Sequence, residues 1–156
     1  GSGANELAEA LGLKTTRWDL EETAAGGPFS EILEHDIFIN CVLGQKKIPA
    51  FVSMESLQLA ERQLSMITDV SCDPGEYNPI PIYSKTTSFS EPLLRIISGA
   101  KPLDLCAIDH LPSLLPVESS EDFAGQLLPH LLSLDDKDNR VWQGTLELFY
   151  KKSKNL

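Results

Sequence analysis

At 156 residues, with 42% apolar and 23% charged side chains, the chain is long enough for one domain with a real core. It has no apolar run near the roughly 18 residues that a membrane span needs, which argues against a membrane partner. A formal net charge of −10, with thirteen Lys and Arg scattered apart from Lys46-Lys47 and the group Lys151, Lys152 and Lys154, argues against nucleic acid, whose backbone demands a basic stripe.

The chain opens on Gly1-Ser2-Gly3 and runs directly into Ala4, Leu7, Ala8 and Leu11, the i, i+3, i+4, i+7 stripe of an amphipathic helix that Gly12 is placed to stop. Such a start has two readings, a cloning remnant or a glycine-rich phosphate loop entered partway through. The stretch "TTRWD" is rich in β-formers and predicts a strand closed by Asp19. Buried strands follow over 36–42 ("DIFINCV") and 64–70 ("LSMITDV"), with a helix starting near Ser53 between them. That alternation favours a parallel sheet.

Pro74, Gly75, Pro79 and Pro81 then rule out regular structure in "SCDPGEYNPIPIY". Short strands are expected over 93–97 and 103–108, after which Pro112 and Pro116 break the chain again. Beyond Glu118, Phe123, Leu127, Leu131 and Leu134 stripe a helix that Ser119 or Ser120 would cap and Pro129 would disturb. Trp142, Leu146 and Phe149 stripe a last one. Residues 1–111 therefore read as a parallel α/β unit and 112–156 as helices without a strand partner. The apolar faces of those helices need a cover from outside the chain.

Cys41, Cys72 and Cys106 form no C-x-x-C pair, so no zinc site is expected, and an odd number of widely spaced thiols fits a reducing cytoplasm. In a dinucleotide-binding unit, glycines admit the pyrophosphate to a helix N-terminus and an acid about 20 residues on takes the ribose hydroxyls. Asp19 fits that spacing if Gly1 and Gly3 end the glycine run. Open parallel sheets bind ligands beyond their carboxyl edge. "NCVL", "DVSCD" and "AIDHL" end three strands and place polar groups on one rim. There Ser71 and Asp73 could meet a substrate amine or carboxylate, Cys72 could line a nicotinamide pocket, and Asp109 could sit beside the reacting carbon. The competing reading makes Asp73 and Asp109 turn caps and His110 structural. No G-x-S-x-G elbow, Walker loop or H-E-x-x-H pair occurs, so hydride transfer fits the inventory better than hydrolysis.

Three stretches carry a resemblance: "RWDLEETAAGGPFSEILEHDIFINCVL", "ITDVSCDPGEYNPIPIY" and "AIDHLPSLLPVESSEDFAGQLLPHL". They resemble the saccharopine dehydrogenases of the fungal, NAD-dependent, lysine-forming type, with D-V-S-x-D, N-P-I-P and I-D-H-L-P-S-L-L-P as the specific motifs. A more distant likeness to alanine dehydrogenase covers only the α/β half. The resemblance implies a Rossmann-like parallel sheet lacking its first strand, followed by helices that return to an absent N-terminal domain holding a lysine and histidine acid–base pair. It implies NAD as cofactor, and a reversible oxidation of saccharopine to lysine and 2-oxoglutarate.

By the same resemblance Asp19 and Thr23 lie on the adenosine ribose side, Leu43 and Val70 touch the cofactor, and Ile108, Asp109, His110 and Leu111 lie at the nicotinamide end. Ser71, Cys72 and Asp73 lie near the substrate. Family members commonly carry tyrosine where Leu43 stands and alanine where Cys72 stands. The fragment alone is expected to be inactive. Two alternatives stay open: an NADP-dependent lysine–2-oxoglutarate reductase, against which Asp19 argues because a carboxylate repels a 2′-phosphate, and a non-catalytic nucleotide-binding or interaction module. The ending Lys154-Asn155-Leu156 matches a peroxisomal address poorly, which leaves the cytoplasm as the expected location.

Overall fold

Ser2–Ala10 forms the first helix, α1, and it ends where the glycine lies. Gly12 at φ +69° lets its own N–H reach Glu9 O at 2.9 Å and the Leu13 N–H reach Ala8 O at 2.9 Å, so the last carbonyls are paired by a left-handed turn. None of its residues is buried. The computed structural model describes residues 1–42 and 47–154, and they fall into two units, Gly1–Leu111 and Pro112–Leu156.

The strand expected over "TTRWD" does not form. A strand exists only through a ladder, and these residues pair with no other among the described ones. Asp19, at φ −129°, instead caps the one-turn helix α2 (Leu20–Thr23). Trp18 is anchored by packing, edge-on to Phe29 at 5.0 Å, and Phe29 leads on to Phe51 at 5.6 Å.

The four strands of the sheet are β1 (Ile37–Asn40), β2 (Met66–Asp69), β3 (Leu94–Ile97) and β4 (Leu103–Cys106), ordered β1-β2-β4-β3. Strands β1, β2 and β4 are parallel, as the alternation predicts. Strand β3 runs antiparallel to β4, a departure from the all-parallel expectation. Its cause is the short link through Gly99, at φ +111°, which can close a hairpin and cannot make the long crossover that parallel neighbours require. Between β1 and β2 lies α3 (Met54–Leu57), where the Ser53 hydroxyl accepts from Ser56 N at 3.1 Å.

Period-two alternation sorts the sheet into two faces. Phe38, Ile67, Leu103 and Leu105 point to one side, where Val52, Leu57, Leu64 and Ile80 complete a core, and all of these except Phe38 are fully buried. Ile37 and Ile39 point to the other side and stay exposed. The proline-rich stretch after β2 is ordered loop, with Ile80 and Tyr83 inside the core.

In the second unit, α4 (Pro116–Leu131) begins at Pro116, earlier than a Ser119 or Ser120 cap would place it. Proline is preorganised for the first helical position, and the two serines donate back to Pro112 O and Pro116 O instead. Helix α5 (Arg140–Ser153) is capped by Asn139, which accepts from Val141 N at 2.9 Å. Trp142 Nε1 donates to His130 O at 2.9 Å and so serves a carbonyl of α4's last turn. Neither helix buries a residue, and Phe123 and Phe149 are exposed.

Candidate functional site

Parallel pairing brings the carboxyl ends of β1, β2 and β4 to one edge, so Asn40, Asp69 and Cys106 and the residues after them share a rim. Val70–Asp73 and Ile108–Leu111 leave neighbouring strands there, and the predicted substrate and nicotinamide groups are adjacent. Val70 is exposed, as are Asp109 and His110. Ile108 is buried and bridges Thr87, while Leu111 is half-buried. His110 packs edge-on to Phe89 at 5.0 Å, so its ring has an apolar neighbour.

The bend after β2 is unusual. Cys72 is buried and has φ +50°, a left-handed conformation that costs a non-glycine residue roughly 1–2 kcal/mol. The Ser71 and Cys72 N–H groups both donate to Asp69 Oδ1, at 3.1 and 3.3 Å, and hold the bend in that form. Asp73 Oδ1 accepts from Gly75 N at 3.0 Å, which is the turn-capping role weighed against a ligand role, and its other oxygen accepts no hydrogen bond among the described residues. Among the described residues, Ser71 Oγ and Asn78 Nδ2 are buried with no hydrogen-bond partner.

Beneath the rim lies a group that sequence reasoning missed. Asp69 is 1% exposed and accepts from Asn40 Nδ2 at 2.9 Å and from Tyr83 OH at 2.6 Å, besides the two amides. Asn40 Oδ1 in turn accepts from Val42 N at 3.2 Å. An acid closing an otherwise apolar strand, "MITD", and an asparagine closing another, "IFIN", were the available signals.

Burial, then the carboxylates of Asp109 and Asp69 and the Cys106 thiol, push the Cys72 thiol up to about 11. At neutral pH it is protonated, and it is no nucleophile. Burial and the hydrogen bond donated to Asp69 raise the Tyr83 hydroxyl far above its ordinary range, so it stays a donor.

The hydrogen bonds of the remaining described site residues stay within their own segments. Gly1 and Gly3 lie at the start of α1, which has no side-chain cap and no acid in its first turn, leaving its leading N–H groups open to an anion. Asp19 Oδ1 accepts from Leu20 N at 2.7 Å, and the Thr23 hydroxyl donates to Asp19 O at 3.1 Å. Among the described residues none of these four bonds to the β2 or β4 ends. Leu43 lies outside the described residues. No cluster of His, Cys, Asp and Glu able to hold a metal occurs among the described residues, and no helix is long and apolar enough to cross a membrane.

The mostly parallel sheet, its polar carboxyl rim and the uncapped first helix define a mixed α/β protein of Rossmann-like build. No protein-family model matches the chain. It is 47% identical over 166 aligned residues to the saccharopine dehydrogenase [NAD(+), L-lysine-forming] of Emericella nidulans, 45% over 163 to that of Neurospora crassa, and 46% over 156 to that of Schizosaccharomyces pombe. These alignments cover 100%, 100% and 96% of this chain and 44%, 44% and 42% of the respective relatives. The chain belongs to the saccharopine dehydrogenase family, and it spans about 44% of the length of the curated relatives it matches.

Proposed function

We propose that this chain forms the dinucleotide-holding part of an NAD-dependent saccharopine dehydrogenase, the activity named for its relatives. The observation that carries the reading is the convergence of Val70–Asp73 and Ile108–Leu111 on one rim of a parallel sheet, the place where such sheets take ligands. Bound NAD would supply the hydride acceptor for oxidation of the secondary amine of saccharopine. The residues present suit it: an uncapped helix N-terminus at Gly1 and Gly3 for the pyrophosphate, and the exposed carboxylate of Asp19, which also caps α2, for ribose hydroxyls.

In this reading Thr23 sits with Asp19 on the ribose side, and Leu43 and Val70 touch the cofactor. The Ile108–Leu111 turn backs the nicotinamide ring, with Asp109 beside the reacting carbon. Ser71, Cys72 and Asp73 wall the substrate side. Among the described residues the Cys72 thiol keeps its proton and Asp73 Oδ1 is held in its own turn, while the Asp109 carboxylate is exposed at the rim. In line with the family resemblance, the general acid and base, together with the cover for Ile37, Ile39 and the faces of α4 and α5, belong to a further domain. A cytoplasmic enzyme acting on saccharopine, lysine and 2-oxoglutarate follows.

The test is reduction of NAD by the complete polypeptide with saccharopine as substrate, followed by NADH fluorescence, with NADP run in parallel. Turnover with NAD and little with NADP is expected, because the Asp19 carboxylate opposes a 2′-phosphate. A preference for NADP would favour the reductase reading. NADH binding without turnover of saccharopine, or of lysine with 2-oxoglutarate, would favour a non-catalytic module.

A further inference from the structure

The rim is organised by a side chain that does not reach solvent. Asp69 accepts four hydrogen bonds from three separate segments: the end of β1 through Asn40, the bend through the Ser71 and Cys72 amides, and the loop after the bend through Tyr83 OH. No cation pairs with it among the described residues. A buried carboxylate without a counter-charge carries a desolvation cost that an apolar residue would avoid, so its bonds must fix something that packing alone does not. What they fix is local: two of the four hold Cys72 at φ +50°, and the others tie the same carboxylate to the segments flanking the bend.

Sequence spacing supports the same division of labour. Asp69 is the last residue of β2, with its side chain on the core face beside Ile67's row, whereas Val70 is exposed at the rim. The carboxylate therefore sits below the ligand surface and the bend sits on it. Tyr83, 8% exposed, brings its hydroxyl to Oδ2 from the core side and leaves Oδ1 to the two amides and Asn40.

We propose that Asp69, clamped by the Tyr83 hydroxyl, is a positioning residue that sets the substrate-side wall of the site through the Ser71–Cys72–Asp73 bend while touching neither substrate nor cofactor. This rests on the oxidoreductase reading above, which assigns the bend to the substrate side. Removing the clamp leaves the carboxylate in place and loosens the bend. Replacing the carboxylate by an amide keeps one acceptor oxygen for Ser71 and Cys72 and turns an N–H toward the Tyr83 oxygen.

The experiment compares Tyr83→Phe, Asp69→Asn and Asp69→Ala in the complete polypeptide, by steady-state kinetics and by amide hydrogen exchange. Asp69→Ala is expected to raise KM for saccharopine roughly tenfold or more with KM for NAD within about twofold, and Asp69→Asn to recover part of that loss. Tyr83→Phe falls between wild type and Asp69→Ala. In each variant the Ser71 and Cys72 amides should exchange faster relative to those of Ile67 and Leu105. If both KM values stay fixed, or both rise together while all four amides quicken equally, Asp69 only stabilises the fold and the proposal is overturned. Absence of turnover in the unsubstituted protein overturns the oxidoreductase reading and the proposal with it, whereas turnover with unmoved constants overturns the proposal alone.

Discussion

Replacing Arg62 by methionine tests how the amino end of the sheet is held. Arg62 is 4% exposed and faces no carboxylate among the described residues. Its Nε donates to Leu57 O at 2.8 Å, one Nη to Lys101 O at 2.5 Å, and the other Nη to Leu64 O. One guanidinium thus joins the end of α3, the approach to β2 and the β3–β4 hairpin. Three bonds from an ionised donor contribute roughly 1.5–3 kcal/mol each, and burial of the unpaired charge offsets several kcal/mol of that. Methionine keeps the length of the stem, removes the charge and strands three carbonyls, so a net loss of about 3 kcal/mol is expected. With a urea slope of about 2 kcal/mol per molar, the midpoint should fall by about 1.5 M. Trp18 reports on this unit, and a Trp142→Phe background removes the other indole. Arg62→Lys should lose most of the same stability, because one ammonium cannot span all three carbonyls. A midpoint moved by less than about 0.5 M in Arg62→Met would show that the carbonyls find other partners at no cost and would refute the reasoning.

Other substitutions follow from equally local geometry. A Cβ on Gly27 would lie 2.0 Å from Ala50 O, so Gly27→Ala should destabilise by at least about 2 kcal/mol in thermal unfolding, whereas Gly125→Ala, with open space in α4, should stabilise that helix by roughly 0.5–1 kcal/mol. The Cys72 thiol keeps its proton to about pH 11 in the folded state and releases it near 9 when unfolded. The folded state therefore binds more protons between those values, and this contribution is whole below pH 9 and is lost as pH rises, by at most about 1.4 kcal/mol per pH unit. Urea titrations at about pH 8, 9 and 10 should show that slope in wild type and lack it in Cys72→Ala, with Tyr83 adding loss of the same sign at higher pH. Asp19→Ala should cost about 1 kcal/mol through the lost cap, read by thermal unfolding. In turnover it should raise KM for NAD and narrow the preference over NADP; an unchanged preference would remove Asp19 from the ribose site.

Much of the sheet was legible because its strands are apolar runs bounded by breakers: "DIFINCV" and "LSMITDV" contain β1 and β2, each trimmed by one or two residues at either end. The α1 terminus was legible for a similarly local reason, since only glycine takes φ +69° without strain. "TTRWD" shows the limit. Its composition is that of a strand, but a strand is made by its neighbour, and composition reports nothing about whether a neighbour is present. The direction of β3 was hidden in the same way, because pairing sense depends on the length and path of the connection as well as on the run itself. In α4 the serines looked like caps by type, while proline at the first helical position settled the boundary by its fixed φ.

The rim divides along the same line. Residues that face outward, Asp73, Asp109 and His110, were visible because polar groups after a buried strand are conspicuous. Asp69 was read only as part of the strand over 64–70, and nothing in "LSMITDV" distinguishes a carboxylate buried beneath the rim from one that faces solvent. What distinguishes the two is the set of donors gathered around it, and those come from Asn40 and Tyr83, 29 residues before and 14 residues after it. A carboxylate inside a fold is defined by such distant partners, since only they offset its desolvation. Sequence proximity can show that a carboxylate is available at a strand end. Whether it binds a ligand or braces the surface that does is decided by the long-range bonds, and at Asp69 both oxygens accept from the protein, Oδ1 from Asn40 and the two amides and Oδ2 from Tyr83.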